Sequence, residues 1–242
     1  MYDEKMQNLT VSLSERFQSI LQEMSRAGEN RKHPLQPAAG LLAVSKTKPV
    51  SMIQELMALG QQQFGENRVQ ELQEKYRYFE EHDLPQPKWH LIGHLQRNKV
   101  KYIAPFIEMI HSVDSIELAR EISRQALLND RCIPVLVEVN VAGEDSKFGI
   151  HPSDTERFMR SLAELPGLQV KGLMTVAPFV ENPEENRLVF EKLYEIFIDI
   201  QEKNIDNICM CELSMGMSND FSVAIEEGAT VVRIGSSLFG SR

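Results

Sequence analysis

The chain has 242 residues, of which 42% are apolar and 25% charged, and carries a formal net charge of -9. That apolar share excludes a wholly disordered chain and suits one barrel-sized α/β domain spanning 1–242. The acidic balance, with no large basic block, argues against nucleic acid or an anionic membrane surface as a partner. No run approaches the roughly 18 to 20 apolar residues of a membrane helix. The opening MYDEKMQNLTVSL is acidic and polar where a secretory leader is basic and then apolar, so the cytoplasm is the expected compartment. Three cysteines make no disulfide framework. Cys209 and Cys211 are taken to face opposite sides of a strand, and His90 and His94 to sit in a strand and its end, so no metal site is expected.

In chain order, Leu9, Leu13, Phe17, Leu21 and Met24 recur at helical spacing and predict an opening helix over 4–27. A polar loop leads to LLAVSK, a strand over 41–46 stopped by Thr47-Lys48-Pro49. Helix 51–60 follows, with Ser51 and Gln54 spaced as a capping box. Next come a short strand at 63–66, helix 67–79, strand 89–93, a short helix 95–102 and strand 109–113. Asp114 and Glu117 are placed to cap a helix running to Leu128, and IPVLVEVN is a strand over 133–140. Pro152 and the Ser153–Glu156 spacing open a helix that ends near Pro166-Gly167. Strand 170–176, a helix opened by Asn182 and Pro183, strand 211–215, helix 220–228 and strand 230–234 complete the series, with Gly228 as a left-handed cap. Eight strands, each of the first seven followed by a helical segment, predict a TIM-type (β/α)8 barrel with an additional N-terminal helix. A doubly wound open sheet is the alternative, weakened by the lack of Gly-x-Gly-x-x-Gly after the first strand.

Barrel closure places the ends of strands 7 and 8 beside strand 1, and such ends commonly bind phosphate. SMGMSNDF carries Ser218 just before a helix, and RIGSSLFG carries Gly235 and Ser236, whose N–H groups and hydroxyl suit an anion. Ordinary turn and cap roles are the alternative. Lys46 ends strand 1, either as a plain strand terminus or on the active rim. Arg233 shares a face with Gly235 toward the lumen, where a buried guanidinium needs a partner; Glu138 is one candidate. An amine, an anion clamp and a fixed arginine together suggest pyridoxal 5'-phosphate, since lysine forms a Schiff base with its aldehyde.

LLAVSKTKP at 41, FGENRVQE at 64, WHLIGHLQRNK at 89, HSVDS at 111, VNVAGEDSKFG at 139, GLMTV at 172, LSMGMSNDF at 213 and VRIGSSLFG at 232 carry a resemblance nearly end to end. The chain resembles the YggS/PROSC family of pyridoxal phosphate homeostasis proteins, which share the alanine racemase barrel, a cofactor-binding barrel of fold type III. The resemblance implies that Lys46 holds the cofactor as a Schiff base and that Asn67 sits beside its ring. It makes Ser218, Gly235 and Ser236 the phosphate ligands, with Ser236 where many members have threonine, and Arg233 the partner of the pyridine nitrogen. Thr175 and Ala177 depart from the family's usual residues and bear on packing.

An arginine at the ring nitrogen weakens the ring as an electron sink. Alanine racemases carry a second, β-rich domain and a tyrosine base from a partner subunit. Only a few residues follow strand 8 here, and none of the tyrosines at 2, 76, 78, 102 and 194 lies at a predicted strand end. The resemblance implies a cytosolic monomer that buffers or delivers the cofactor to PLP-dependent apo-enzymes, with no catalytic residue assigned. The rival readings are a weak amino acid racemase, one-base or assisted by His90, whose plainer reading is a satisfied residue in the barrel mouth, and an adaptor acting through protein contacts.

Overall fold

The computed structural model describes residues 11–33, 37–144 and 147–240. Eight strands run in the order β1 Gly40–Val44, β2 Gln63–Glu66, β3 Lys88–Leu91, β4 Met109–Val113, β5 Ile133–Glu138, β6 Leu168–Met174, β7 Ile208–Met217 and β8 Val231–Ile234. Each pairs in parallel with the next, and β8 returns to β1 with Leu42 opposite Arg233, so the barrel is closed. The helices are α1 Leu13–Glu29, α2 Val50–Ala58, α3 Val69–Glu81, α4 Ile116–Leu128, α5 Thr155–Ala163, α6 Arg187–Glu202, α7 Phe221–Glu226 and α8 Ser236–Phe239. Between β3 and β4 the expected short helix is a 3-10 helix, Arg97–Tyr102. No described helix is long and apolar enough to cross a membrane.

The main core lies between sheet and helices. On β1, Leu41 and Ala43 pack into that layer, while Leu42 faces inward beside Gly65. This alternation is the strand period of two applied to a barrel wall. Residues 4–10 of the expected first helix lie outside the described residues, and α1 begins only at Leu13. Ser12 caps it: the Glu15 N–H donates to Ser12 Oγ at 3.2 Å and the Ser12 N–H to Glu15 Oε2 at 2.7 Å. The buried stripe is Leu13, Phe17, Ile20, Met24 and Ala27; Leu21 is exposed, one step round from the face that meets α2, α7 and α8.

Caps inferred from spacing fail elsewhere. Pro49 is the N-cap of α2, so Ser51 and Gln54 form no box. Ser115, with no side-chain bond, caps α4, and Asp114 instead approaches His94 Nδ1 at 3.4 Å. A 3-10 turn, Pro152–Asp154, precedes α5 and displaces the Ser153–Glu156 box. Gly228 does take the left-handed conformation, at φ 104°. Cys209 and Cys211 are two apart on β7 and therefore share a face. Burial, and then the neighbouring Cys209, push the Cys211 thiol up to about 12.

Candidate functional site

At the C-terminal ends of the strands lies a cavity of about 480 Å³. Lys46, Asn67, Ser218, Arg233, Gly235 and Ser236 all line it. These residues come from four strand ends, at β1, β2, β7 and β8.

One wall follows β1 and β2. Lys46 sits past the end of the strand, which stops at Val44, although the Ser45 N–H still donates to the Gly65 carbonyl at 3.0 Å. Thr47 then adopts φ 64°, a left-handed conformation that is unfavourable for a β-branched residue. Asn67 follows β2 and precedes α3, and the Gly93 backbone presses against it. A Cβ added at Gly93 would lie 2.3 Å from the Asn67 carbonyl oxygen, so only glycine admits this approach. Asn67 Oδ1 is buried without a hydrogen-bond partner.

The facing wall belongs to β7 and β8. Ser218 is not next to a helix as expected, because Asp220 is the N-cap of α7. Asp220 uses its carboxylate to accept from the Met217 N–H at 2.6 Å and from the Asn186 amide at 2.8 Å. Gly216 turns the chain at φ 88°, where a Cβ would meet the Ala224 methyl at 2.5 Å. Ser218 is thereby presented to β8, and its Oγ accepts from the Gly235 and Ser237 N–H groups, both at 3.3 Å. Ser237 was not anticipated, although its signal is in the sequence as the residue after Ser236. A Cβ at Gly235 would stand 3.3 Å from the Val44 carbonyl oxygen, so the glycine lets β8 close tightly on β1.

The floor is Arg233, almost fully buried. It does not pair with Glu138 within ion-pair distance among the described residues. Instead it donates to Ser214 Oγ at 2.7 Å and to the Thr175 carbonyl at 2.6 Å. Thr175 anchors itself by donating to the Val139 carbonyl at 2.7 Å, and its own carbonyl supports the arginine. Burial lowers the Arg233 pKa to about 10 against the opposing pull of Glu138 and Asp220, which leaves a cation at neutral pH. Glu138 is pushed up to about 7, first by burial and then by Asp114, against Arg233.

Behind the floor lies a chain of polar groups that sequence reasoning missed. Ser214 Oγ lies 3.1 Å from His111 Nδ1, and His111 Nε2 lies 2.9 Å from His90 Nδ1. His90 is therefore inside the lumen and not at the mouth. Burial holds it down to about 3, and it is neutral; its Nε2 has no partner.

Chemically, the cavity offers the amines of Lys46 and Lys48, a buried cation, hydroxyls and main-chain N–H groups, and the one carboxylate among its described lining residues, Asp220, is already engaged. An amine opposite an uncharged anion cradle suits a phosphorylated aldehyde. The unpartnered Asn67 oxygen and the glycine approaches at Gly93 and Gly235 fit a bound ring and phosphate on these walls.

Barrel and rim together define a domain of the alanine racemase type. The family model described as alanine racemase, N-terminal domain, matches residues 21–242. A pyridoxal phosphate homeostasis protein of Aquifex aeolicus is 45% identical over 232 residues, covering 96% of this chain and 99% of the relative. PipY of Synechococcus elongatus, solved with PLP bound, is 34% identical with a TM-score of 0.81, covering 95% of this chain and 100% of PipY. The alanine racemase of Clostridium difficile, 17% identical with a TM-score of 0.65, shares the fold; the match covers 92% of this chain and 57% of the racemase. The chain belongs to the family of pyridoxal phosphate homeostasis proteins.

Proposed function

We propose that this protein binds pyridoxal 5'-phosphate in the rim cavity and buffers or delivers it to PLP-dependent apo-enzymes, maintaining intracellular vitamin B6 balance. The observation that carries this reading is the convergence, on one cavity, of Lys46, Ser218 and Gly235, with the Gly235 and Ser237 N–H groups gathered at the Ser218 hydroxyl. When bound, the cofactor supplies an aldehyde and an electron-accepting ring. Lys46 would hold the cofactor covalently through Nζ, the aldehyde oxygen leaving as water. Ser218, Gly235 and Ser236 hold the phosphate through hydroxyls and main-chain N–H groups. Asn67 flanks the ring. Arg233 would keep its proton and serve as the donor toward the ring nitrogen, so the bound ring would be a weak electron sink.

The surroundings favour a carrier over an enzyme. Of the described tyrosines, Tyr76 stacks on Phe106 and Tyr194 on His33, both on helices outside the barrel wall. His90, the other candidate base, is neutral and engaged with His111 below the floor. The protein acts in the cytosol as a monomer, since this reading needs no residue from a second copy.

The test is the visible spectrum of the purified protein and of Lys46→Ala, before and after borohydride. The native protein shows a band that reduction abolishes, and mass spectrometry then finds the cofactor mass on Lys46. The variant fixes no cofactor. A native protein that stays colourless when saturated with pyridoxal phosphate overturns the binding reading. Single amino acid enantiomers keep their optical purity with the loaded protein; steady racemisation would instead establish an enzyme.

A further inference from the structure

Lys46 is bracketed by residues that are held from the opposite side of the wall, by helix α3. Lys75 is buried, and its ammonium donates to three acceptors: the Ser45 carbonyl at 2.8 Å, Glu66 Oε1 at 2.7 Å and Glu71 Oε1 at 2.7 Å. That is one acceptor for each of its three hydrogens. Ser45 Oγ donates to the same Glu66 oxygen at 2.6 Å. Glu71 Oε1 also accepts from the Thr47 N–H at 2.5 Å. The residue before Lys46 is thus fixed through its carbonyl and hydroxyl, and the residue after it through its N–H.

Thr47 is the strained member, at φ 64°. Such a conformation persists only where the surroundings over-determine it. The Lys48 N–H closes the turn by donating to the Ser45 carbonyl at 3.0 Å, and the Thr47 N–H bond to Glu71 completes that determination. Glu71 and Lys75 lie one turn apart on α3, so the helix presents both to one point. A buried ion pair is a weak source of stability compared with apolar packing, whereas it fixes positions well. None of these three charged residues lines the cavity.

We propose that Glu71 and Lys75 are positioning residues for Lys46, holding the strained turn that aims its amine into the cavity. The inference deepens the function proposed above and rests on that reading for its cofactor arm only. The experiment pairs Glu71→Ala with Glu71→Gln, in wild-type and Lys46→Ala backgrounds; Glu71 is partly exposed, and circular dichroism confirms folding. In the first arm, cofactor-free protein reacts with acetic anhydride, and the rate at Lys46 is read by mass spectrometry relative to exposed lysines. In the second, covalent capture of pyridoxal phosphate is timed by borohydride trapping. Glu71→Ala slows both by roughly 10- to 100-fold, the scale of a misplaced reacting group. Glu71→Gln keeps an acceptor for the Thr47 N–H and recovers most of the rate. In the Lys46→Ala background, Glu71→Ala leaves non-covalent cofactor affinity unchanged.

A wild-type acetylation rate in Glu71→Ala overturns the proposal. So does an equal loss of affinity in both backgrounds, which is the mark of a general structural role. If the native protein takes up no cofactor, the functional reading fails, while the acetylation arm still decides the positioning.

Discussion

The two walls of the cavity are built from different materials. Around Lys46 the support is ionic and largely buried: Glu66, Lys75 and the half-buried Glu71 converge on Ser45 and Thr47. Around Ser218 the support is neutral, two main-chain N–H groups meeting one hydroxyl across a glycine that closes on β1. Buried charges demand one arrangement, because any displaced member is left unpaired in a poorly polarisable interior. Main-chain donors and small hydroxyls tolerate substitution and still serve an anion. A covalent bond needs its amine in one place, whereas a phosphate accepts donors from many directions. The wall that must be exact carries the charges.

This contrast predicts unequal responses. Lys75→Met leaves Glu66 fully buried with only the Ser45 hydroxyl as partner, and costs about 3–5 kcal/mol in urea unfolding. A loss below 1 kcal/mol would mean that the ionic wall is held chiefly by packing. The floor between the walls gives the next effect. The Glu138 carboxyl is pushed up to about 7 from its ordinary 4.5, so between those pH values the folded protein binds a proton that the unfolded chain releases. Its contribution therefore favours folding least above pH 7, and stability falls as pH rises through that window. Glu138→Gln removes this slope in the cofactor-free protein, and gains on the wild type by an amount on the order of 2–3 kcal/mol by pH 8. Parallel melting-temperature profiles for the two proteins from pH 4.5 to 8 would defeat that assignment.

How legible each part was follows from the range of the forces involved. Strand 109–113 stands at its expected bounds because a short, largely apolar run is a local signal; strand 63–66, QFGE, also stands at its bounds, although only the alternation of elements called for it. All six expected site residues line one cavity, since barrel closure alone brings the ends of β1, β2, β7 and β8 together. Helix starts were less legible. Ser51 and Gln54 have box spacing, yet Pro49, whose φ is restricted by its ring, already occupies the N-cap. The lumen chain from Arg233 through Ser214 and His111 to His90 was invisible, because it depends on register across strands. That register shifts at irregularities in the β4–β5 and β7–β8 pairings. Charge makes Glu138 one candidate partner for the arginine, and a hydroxyl and a carbonyl take the place.

On the neutral wall, Ser218→Ala removes a single hydroxyl and leaves the Gly235 and Ser237 N–H groups to serve a phosphate. Affinity for pyridoxal phosphate falls about tenfold, near 1.4 kcal/mol, the scale of one hydrogen bond to a charged group. Affinity for pyridoxal, which has no phosphate, stays constant. Equal losses for both ligands would move Ser218 from the phosphate to the ring.

The smallest response belongs to Ser236→Thr. Ser236 is exposed at the first turn of α8, so an added methyl enters solvent without displacing a packed neighbour. The hydroxyl and the main-chain N–H both survive the change. The cost is confined to threonine's narrower choice of χ1 in a helix. Cofactor affinity by titration stays within about twofold of wild type, below 0.5 kcal/mol, as for surface substitutions generally. A loss of tenfold or more would show that the neutral wall requires one rotamer at this position and is as demanding as the ionic wall across the cavity. The division of labour between the walls would then fail at its most tolerant point.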